Sequence, residues 1–244
     1  MWAGNVVHDC IKHSLKNLQR GIKVLDVEEI ITITINKMRD EFRSSRDRRY
    51  LTHPKTCALF EHEYEENVPG SEWKQVADHV EQCLRNFYSS ELFPILKSIH
   101  IYDWLEVEDF SFFYLDNTKI WAVIDCSYKT NDGVTIIDWK TGRGITEDLS
   151  LQLSCYAMYG MDKWKVSPEN IKIIEYNLLS NQNVEFSITE GEILNTRTQI
   201  QGSIADMKSM LVDIENNITK DESFFMKISD ERIRERCNFK KICQ

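Results

Sequence analysis

Ala122-Val123-Ile124-Asp125 and, beyond the turn residues Asn131-Asp132-Gly133, Ile136-Ile137-Asp138-Trp139-Lys140-Thr141-Gly142 decide how this sequence reads. Each stretch is an apolar run that ends in a carboxylate, and the Asn-Asp-Gly between them is a hairpin signal. Side chains two apart on a strand share a face, so Asp138 and Lys140 point the same way. The turn then sets the direction of Asp125. A two-residue turn at Asn131-Asp132 places Asp125 opposite Asp138, and one at Asp132-Gly133 places it opposite Lys140. A three-residue loop sends it to the other face. With either two-residue turn, all three charges stand together. For an isolated D-x-K the alternative is a solvated hairpin face. Here Val123, Ile124 and the run 134–137 make both strands apolar enough to be buried, where unpaired charge is expensive.

Two neighbouring acids repel each other unless a cation lies between them. Hard divalent ions such as Mg²⁺ or Mn²⁺ bind through oxygen ligands of this kind. A bound ion can polarise a phosphoryl oxygen and lower the pKa of a water for in-line attack. A neighbouring lysine can hold that water or stabilise the charge that develops on the phosphorus oxygens. The residue set points to phosphodiester hydrolysis.

Around this hairpin the chain patterns as α/β. Val6, Val7, Cys10, Ile11, Leu15 and Leu18 recur at helical spacing, as do apolar residues from Val27 to Phe42 and from Trp73 to Phe87. After about Lys97 the sequence turns β-rich, with strands expected over Ile101–Phe110, Phe112–Leu115, Lys119–Tyr128 and Gly133–Lys140. A helix is expected from about Asp148 to Met161, then strands over Ile171–Leu178 and Val184–Ile188. Thr189 with Glu192 forms a capping-box start for a last helix, Gly191 to about Asn216. This order predicts one mixed sheet flanked by helices. Residues 21–97 form a helical insertion or lobe, and 220–244 a charged, cysteine-containing tail, within a single domain spanning 1–244.

At 244 residues, 42% hydrophobic and 28% charged, with 9 Gly and 4 Pro, the composition is that of an ordinary globular chain. No run approaches the roughly 18 apolar residues of a spanning helix. The first residues lack a secretory layout, and seven scattered cysteines fit free thiols in a reducing cytoplasm. The net charge of −9 counts at first sight against a nucleic-acid partner.

Asp125, the hairpin and Asp138-Trp139-Lys140-Thr141-Gly142 together resemble the PD-(D/E)XK nuclease superfamily in its RecB-like branch. Two further elements resemble it as well. Gln152 and Tyr156 match a Q-x-x-x-Y helix, their spacing placing both on one helix face. Gly4-Asn5-Val6-Val7-His8 matches an opening G-x-x-x-H helix. The resemblance implies a restriction-endonuclease-like core and a metal-dependent deoxyribonuclease. It makes His8, Asp125, Asp138 and the carbonyl of Trp139 metal ligands, Lys140 the catalytic lysine, and Gln152 and Tyr156 positioning groups for that lysine or for the scissile strand. A histidine ligand tilts the preference from Mg²⁺ toward Mn²⁺. Related nucleases often add an acid on the preceding strand. Glu106 and Glu108 are both placed for this, and strand alternation puts them on one face without choosing between them. The other function class open to the same fold is a catalytically silent subunit that binds nucleic acid or docks a helicase or other protein.

Several RecB-like exonucleases carry a four-cysteine iron–sulfur cluster. Cys237 and Cys243 have the spacing of its last pair, but Arg234 stands where the preceding cysteine belongs and none lies upstream of His8, so no cluster is expected. The chain opening directly on the histidine segment suggests a further segment upstream. Charge is uneven. Residues 37–55 carry seven basic side chains against three acids and residues 231–244 five against two, so these stretches could rim a backbone-tracking groove. Tyr50 or Trp139 would be available there for base stacking.

Overall fold

A computed structural model describes residues 1–144 and 149–242. The chain divides into two compact units, Met1–Thr196 and Arg197–Gln244. In the first, α1 (Trp2–Gln19), α2 (Val27–Arg46), the short α3 (Phe60–Glu63), α4 (Gly70–Ser89) and α5 (Leu92–Ser98) precede the first strand. Asp26 starts α2 with a capping box to Glu29. Then come β1 (Asp109–Leu115), β2 (Thr118–Ile124), β3 (Cys126–Thr130), β4 (Gly133–Lys140), α6 (Leu151–Trp164), β5 (Ile171–Asn177) and β6 (Gln182–Ser187).

β3-β4-β5-β6 form a mixed sheet: β3 and β6 run antiparallel to their neighbours, while β4 and β5 are parallel and joined through α6. One face of this sheet offers Ile137, Trp139, Ile174 and Tyr176, which share a hydrophobic cluster with Val7 and Ile11 of α1, Met38 of α2 and Leu84 and Phe87 of α4. The opposite face offers Ile136, Asp138, Ile173 and Glu175, and α6 covers it. There Gly160 has no room for a Cβ, which would meet Trp164 at 2.9 Å and Ile171 at 3.4 Å. β1 and β2 form a separate antiparallel hairpin. The expected α/β fold with a central mixed sheet flanked by helices is the one observed.

Several boundaries differ from expectation, each for a local reason. Residues 101–108 are not a strand. The segment runs beside β3 without forming a regular ladder: a bridge joins Trp104 to Tyr128, the Leu105 N–H donates to the Ser127 carbonyl and the Ser127 N–H to that of Glu106, and Glu108 adopts φ 52° in the left-handed region. The run from Lys119 to Tyr128 breaks at Asp125, which separates β2 from β3. Asp148 lies outside the described residues, and α6 begins at Leu151 with Ser150 as its cap, the Leu153 N–H donating to Ser150 Oγ at 3.3 Å.

The capping box at Thr189 and Glu192 is formed: the Glu192 N–H donates to Thr189 Oγ1 at 3.2 Å, and the Thr189 N–H to Glu192 Oε2 at 2.7 Å. The helix it starts, α7 (Glu190–Ser209), stops short of Asn216. In the second unit a small hairpin, β7 (Leu211–Asp213) and β8 (Ile218–Thr219), takes over. The Asp213 carboxylate accepts the Asn216 N–H at 3.0 Å and its side-chain amide at 2.8 Å, an Asx-type turn that offers the backbone an alternative to helix. A short α8 (Glu231–Glu235) follows. Cys243 lies outside the described residues. No helix among the described residues is long and apolar enough to cross a membrane.

Candidate metal centre

The turn at Asn131-Asp132 is the one realised. Thr130 pairs with Gly133 and Cys126 with Ile137, so the register carried one step further sets Asp125 opposite Asp138. Strand pairing stops at that step. Instead of continuing the ladder, Asp125 turns its carboxylate across to β4, where Oδ2 accepts the Trp139 N–H at 2.7 Å. Its other oxygen, Oδ1, lies 3.3 Å from His8 Nδ1.

His8 arrives from α1, which passes close to the end of β4 at Gly4. A Cβ there would stand 3.2 Å from Thr141 Oγ1. The same imidazole nitrogen is 3.0 Å from Glu108 Oε1. The left-handed backbone at Glu108 breaks strand alternation and swings that side chain toward Asp125. Glu106 points elsewhere, accepting from the Tyr159 hydroxyl and from Ser111 Oγ at 3.2 Å. The choice between the two acids, open on alternation alone, is thus made by one backbone angle. A non-glycine residue in that conformation leaves no mark in sequence periodicity.

Asp138 is 1% exposed. Its Oδ2 stands 2.7 Å from Lys140 Nζ, and the lysine is held in turn by a relay from α6. Lys140 Nζ donates to Gln152 Oε1 at 2.9 Å, Gln152 Nε2 donates to the Tyr156 oxygen at 2.7 Å, and the Tyr156 hydroxyl donates to the Val123 carbonyl at 2.6 Å. The last acceptor lies two residues before Asp125, so the relay closes on the strand that carries the first acid. Trp139 meets the site only through its main chain. Its ring is 2% exposed, packed edge-on to Phe87 and Tyr176, so it is not available for base stacking. Tyr50, the other stacking candidate, is tied by its hydroxyl to Glu63.

Electrostatics follow from this crowding. Burial alone would favour a neutral His8, but hydrogen bonds to Asp125 and Glu108 outweigh it and push the imidazolium up to about 10. Burial and the nearby charge of Asp125 push Asp138 up, and Lys140 offsets part of that rise. Positive charge is therefore wanted in two places, between His8, Glu108 and Asp125 and beside Asp138. Among the described residues, His8, Glu108 and Asp125 are the one group of three or more ligating side chains that converge, their donor atoms all within 4.8 Å of one another. The 3.0 and 3.3 Å separations on His8 match the roughly 3 Å expected between adjacent ligands of a Mg²⁺- or Mn²⁺-sized ion. One nitrogen and two carboxylates are a fitting donor set for such an ion. Asp138 stands outside that group, its carboxylate given to Lys140.

The structure thus brings together His8, Asp125, the Trp139 main chain, Asp138, Lys140, Gln152 and Tyr156, and adds Glu108. Comparison with curated proteins and with solved structures gave no match. The family model of the PD-(D/E)XK nuclease superfamily matches residues 2–244, and the chain belongs to that superfamily.

Proposed function

We propose that this chain is a metal-dependent deoxyribonuclease of the RecB-like branch, acting on DNA in the cytoplasm in repair, recombination or defence. The observation that carries the reading is the placement of a tethered lysine beside a buried acid, next to three converging ligands. His8, Glu108 and Asp125 would hold a Mg²⁺ or Mn²⁺ ion, and Asp138 would join them on release from Lys140. Such an ion supplies Lewis-acid polarisation of a phosphoryl oxygen and a water acidic enough to attack at neutral pH.

The remaining work falls to the chain's own groups. Lys140 donates one N–H to Gln152 and is ion-paired with Asp138 at 2.7 Å, which leaves N–H capacity for a phosphate oxygen or the attacking water. Gln152 and Tyr156 fix the Nζ position. Trp139 keeps Asp125 from rotating by donating its N–H to Oδ2.

The direct test is cleavage of single-stranded and duplex DNA with Mn²⁺ by Asp138→Ala and Lys140→Ala. Each substitution is expected to lower kcat by about 100-fold or more. Wild-type cleavage by both variants would refute the assignment.

A further inference from the structure

An antiparallel pair with one buried face ordinarily presents polar residues on the other. The β1–β2 hairpin does not. Phe113, Leu115, Ala122 and Ile124 are buried on its inner face, yet its outer face is aromatic: Phe110 is 74% exposed, Tyr114 60% and Trp121 50%. These rings are organised. Phe110 and Trp121 stack with centroids 4.5 Å apart, and Phe112, paired across the strands with Trp121, meets it edge-on at 5.4 Å. Cations are set among them. Lys119 Nζ lies 3.8 Å from the centroids of both Phe112 and Trp121, and Lys163 Nζ, reaching from α6, lies 5.2 Å from Phe112.

One end of the platform is also near the candidate centre in the chain. Phe110 is two residues beyond Glu108, and its cross-strand partner Val123 is two residues before Asp125. From there the outer-face positions step away along the hairpin in rows about 7 Å apart. Exposed rings at Phe110, Tyr114 and Trp121, a half-buried one at Phe112, ammonium groups beside them and an end two residues along the chain from the candidate ligands are the elements of a stacking surface for unpaired bases with a phosphate backbone alongside.

We propose that the outer face of the β1–β2 hairpin binds single-stranded nucleic acid, stacking unpaired bases on Phe110, Phe112, Trp121 and Tyr114, with Lys119 and Lys163 on the phosphates. The direction of entry rests on the nuclease reading. The binding itself does not.

The test uses the full chain in chelator-containing buffer, so that nothing is cleaved. The probes are short fluorescent oligothymidylate, oligouridylate, an abasic oligonucleotide of equal length, and a blunt duplex. The expected result is that the wild type binds at least one of the two pyrimidine strands more tightly than either the abasic strand or the duplex, the stronger of the two telling DNA from RNA. The double variant Phe110→Ala/Trp121→Ala should lose about tenfold or more of that affinity, while Trp121→Phe retains most of it. Lys119→Gln and Lys163→Gln should each flatten the salt dependence by about 0.7 in the log–log slope. Both replaced rings are half or more exposed, so the double variant should stay folded with a Tm lowered by only a few degrees through the lost ring stack, and its Mn²⁺ titration should be unchanged.

Equal binding of abasic and pyrimidine strands, or an unaltered double variant, would overturn the proposal. So would a wild type that self-associates through these rings, seen by sedimentation and lost in the double variant without any change in oligonucleotide binding. A chain that binds as described but cleaves nothing with Mn²⁺ would sink the nuclease reading and leave this surface standing. Cleavage that survives the double variant with binding intact would do the reverse.

Discussion

At the scale of single residues, Glu108 and Glu106 are the informative pair. They are two apart and chemically identical, yet one faces His8 at 3.0 Å and the other is spent on Tyr159 and Ser111. Glu108→Gln removes a charged ligand and is expected to weaken Mn²⁺ binding by about 10- to 100-fold in a calorimetric titration. Glu106→Gln should leave that titration unchanged and cost about 1 kcal/mol of stability through its hydrogen bonds. The shared face of Asp138 and Lys140 was legible in the sequence because both stand on one strand with a fixed parity, while the direction of Asp125 waited on the register of the turn. Glu108 was legible only as one of two, since its direction comes from a positive φ that no hydrophobic pattern encodes. Trp139 misleads in the opposite sense. An aromatic residue between two functional ones invites a stacking role, but the parity that turns Asp138 and Lys140 to one face turns its ring into the core.

At the scale of elements, two connections carry the site. The first is the β3–β4 turn, whose register sets Asp125 against Asp138. Gly133 has φ 152°, and a Cβ there would meet the Asn170 carbonyl oxygen at 2.0 Å. Gly133→Ala is expected to destabilise the fold by about 2–4 kcal/mol, overpacking and backbone strain adding, and thermal unfolding would read the loss. The second is α6, which meets the sheet through the relay from Lys140 to the Val123 carbonyl. Gln152→Ala should leave Mn²⁺ affinity near wild type and lower kcat by about 10- to 100-fold, because it frees Lys140 rather than removing it. Steady-state kinetics that showed a change in KM alone would contradict this positioning role. The helix itself was readable from its spacing, and so was the shared face of Gln152 and Tyr156. Their hydrogen-bonding to one another and onward to a strand three elements earlier was not, because such a relay exists only once the helix has crossed the sheet.

At the scale of the whole molecule, the formal charge of −9 changes meaning once the acids are located. Glu108 and Asp125 converge with His8 as the one group of candidate ligands among the described residues, with Asp138 nearby, and the crowding of negative charge there is what an ion would relieve. At free Mn²⁺ about 100-fold above its Kd, binding should add about 2.7 kcal/mol, a rise in Tm on the order of 5–10 °C for a chain of this size. Asp125→Ala should abolish the rise, as followed by thermal unfolding with and without chelator. The chelated protein should stay folded, since its helices and sheet are joined by an apolar cluster that needs no metal.

The basic residues of 37–55 are partly matched by acids near them in space, Lys37 by Asp9 and Arg48 by Glu65, so a charge count along the chain overstates them as a nucleic-acid rim. Period and local chemistry account, from the sequence alone, for the helices, for most of the strands, for the cap at Thr189 and for the shared face of Asp138 and Lys140. Convergence across distance belongs to the folded chain. Glu108 joins His8, and Asp125 leaves the ladder, because strand breaks and a left-handed backbone redirect side chains in ways that local pattern does not record.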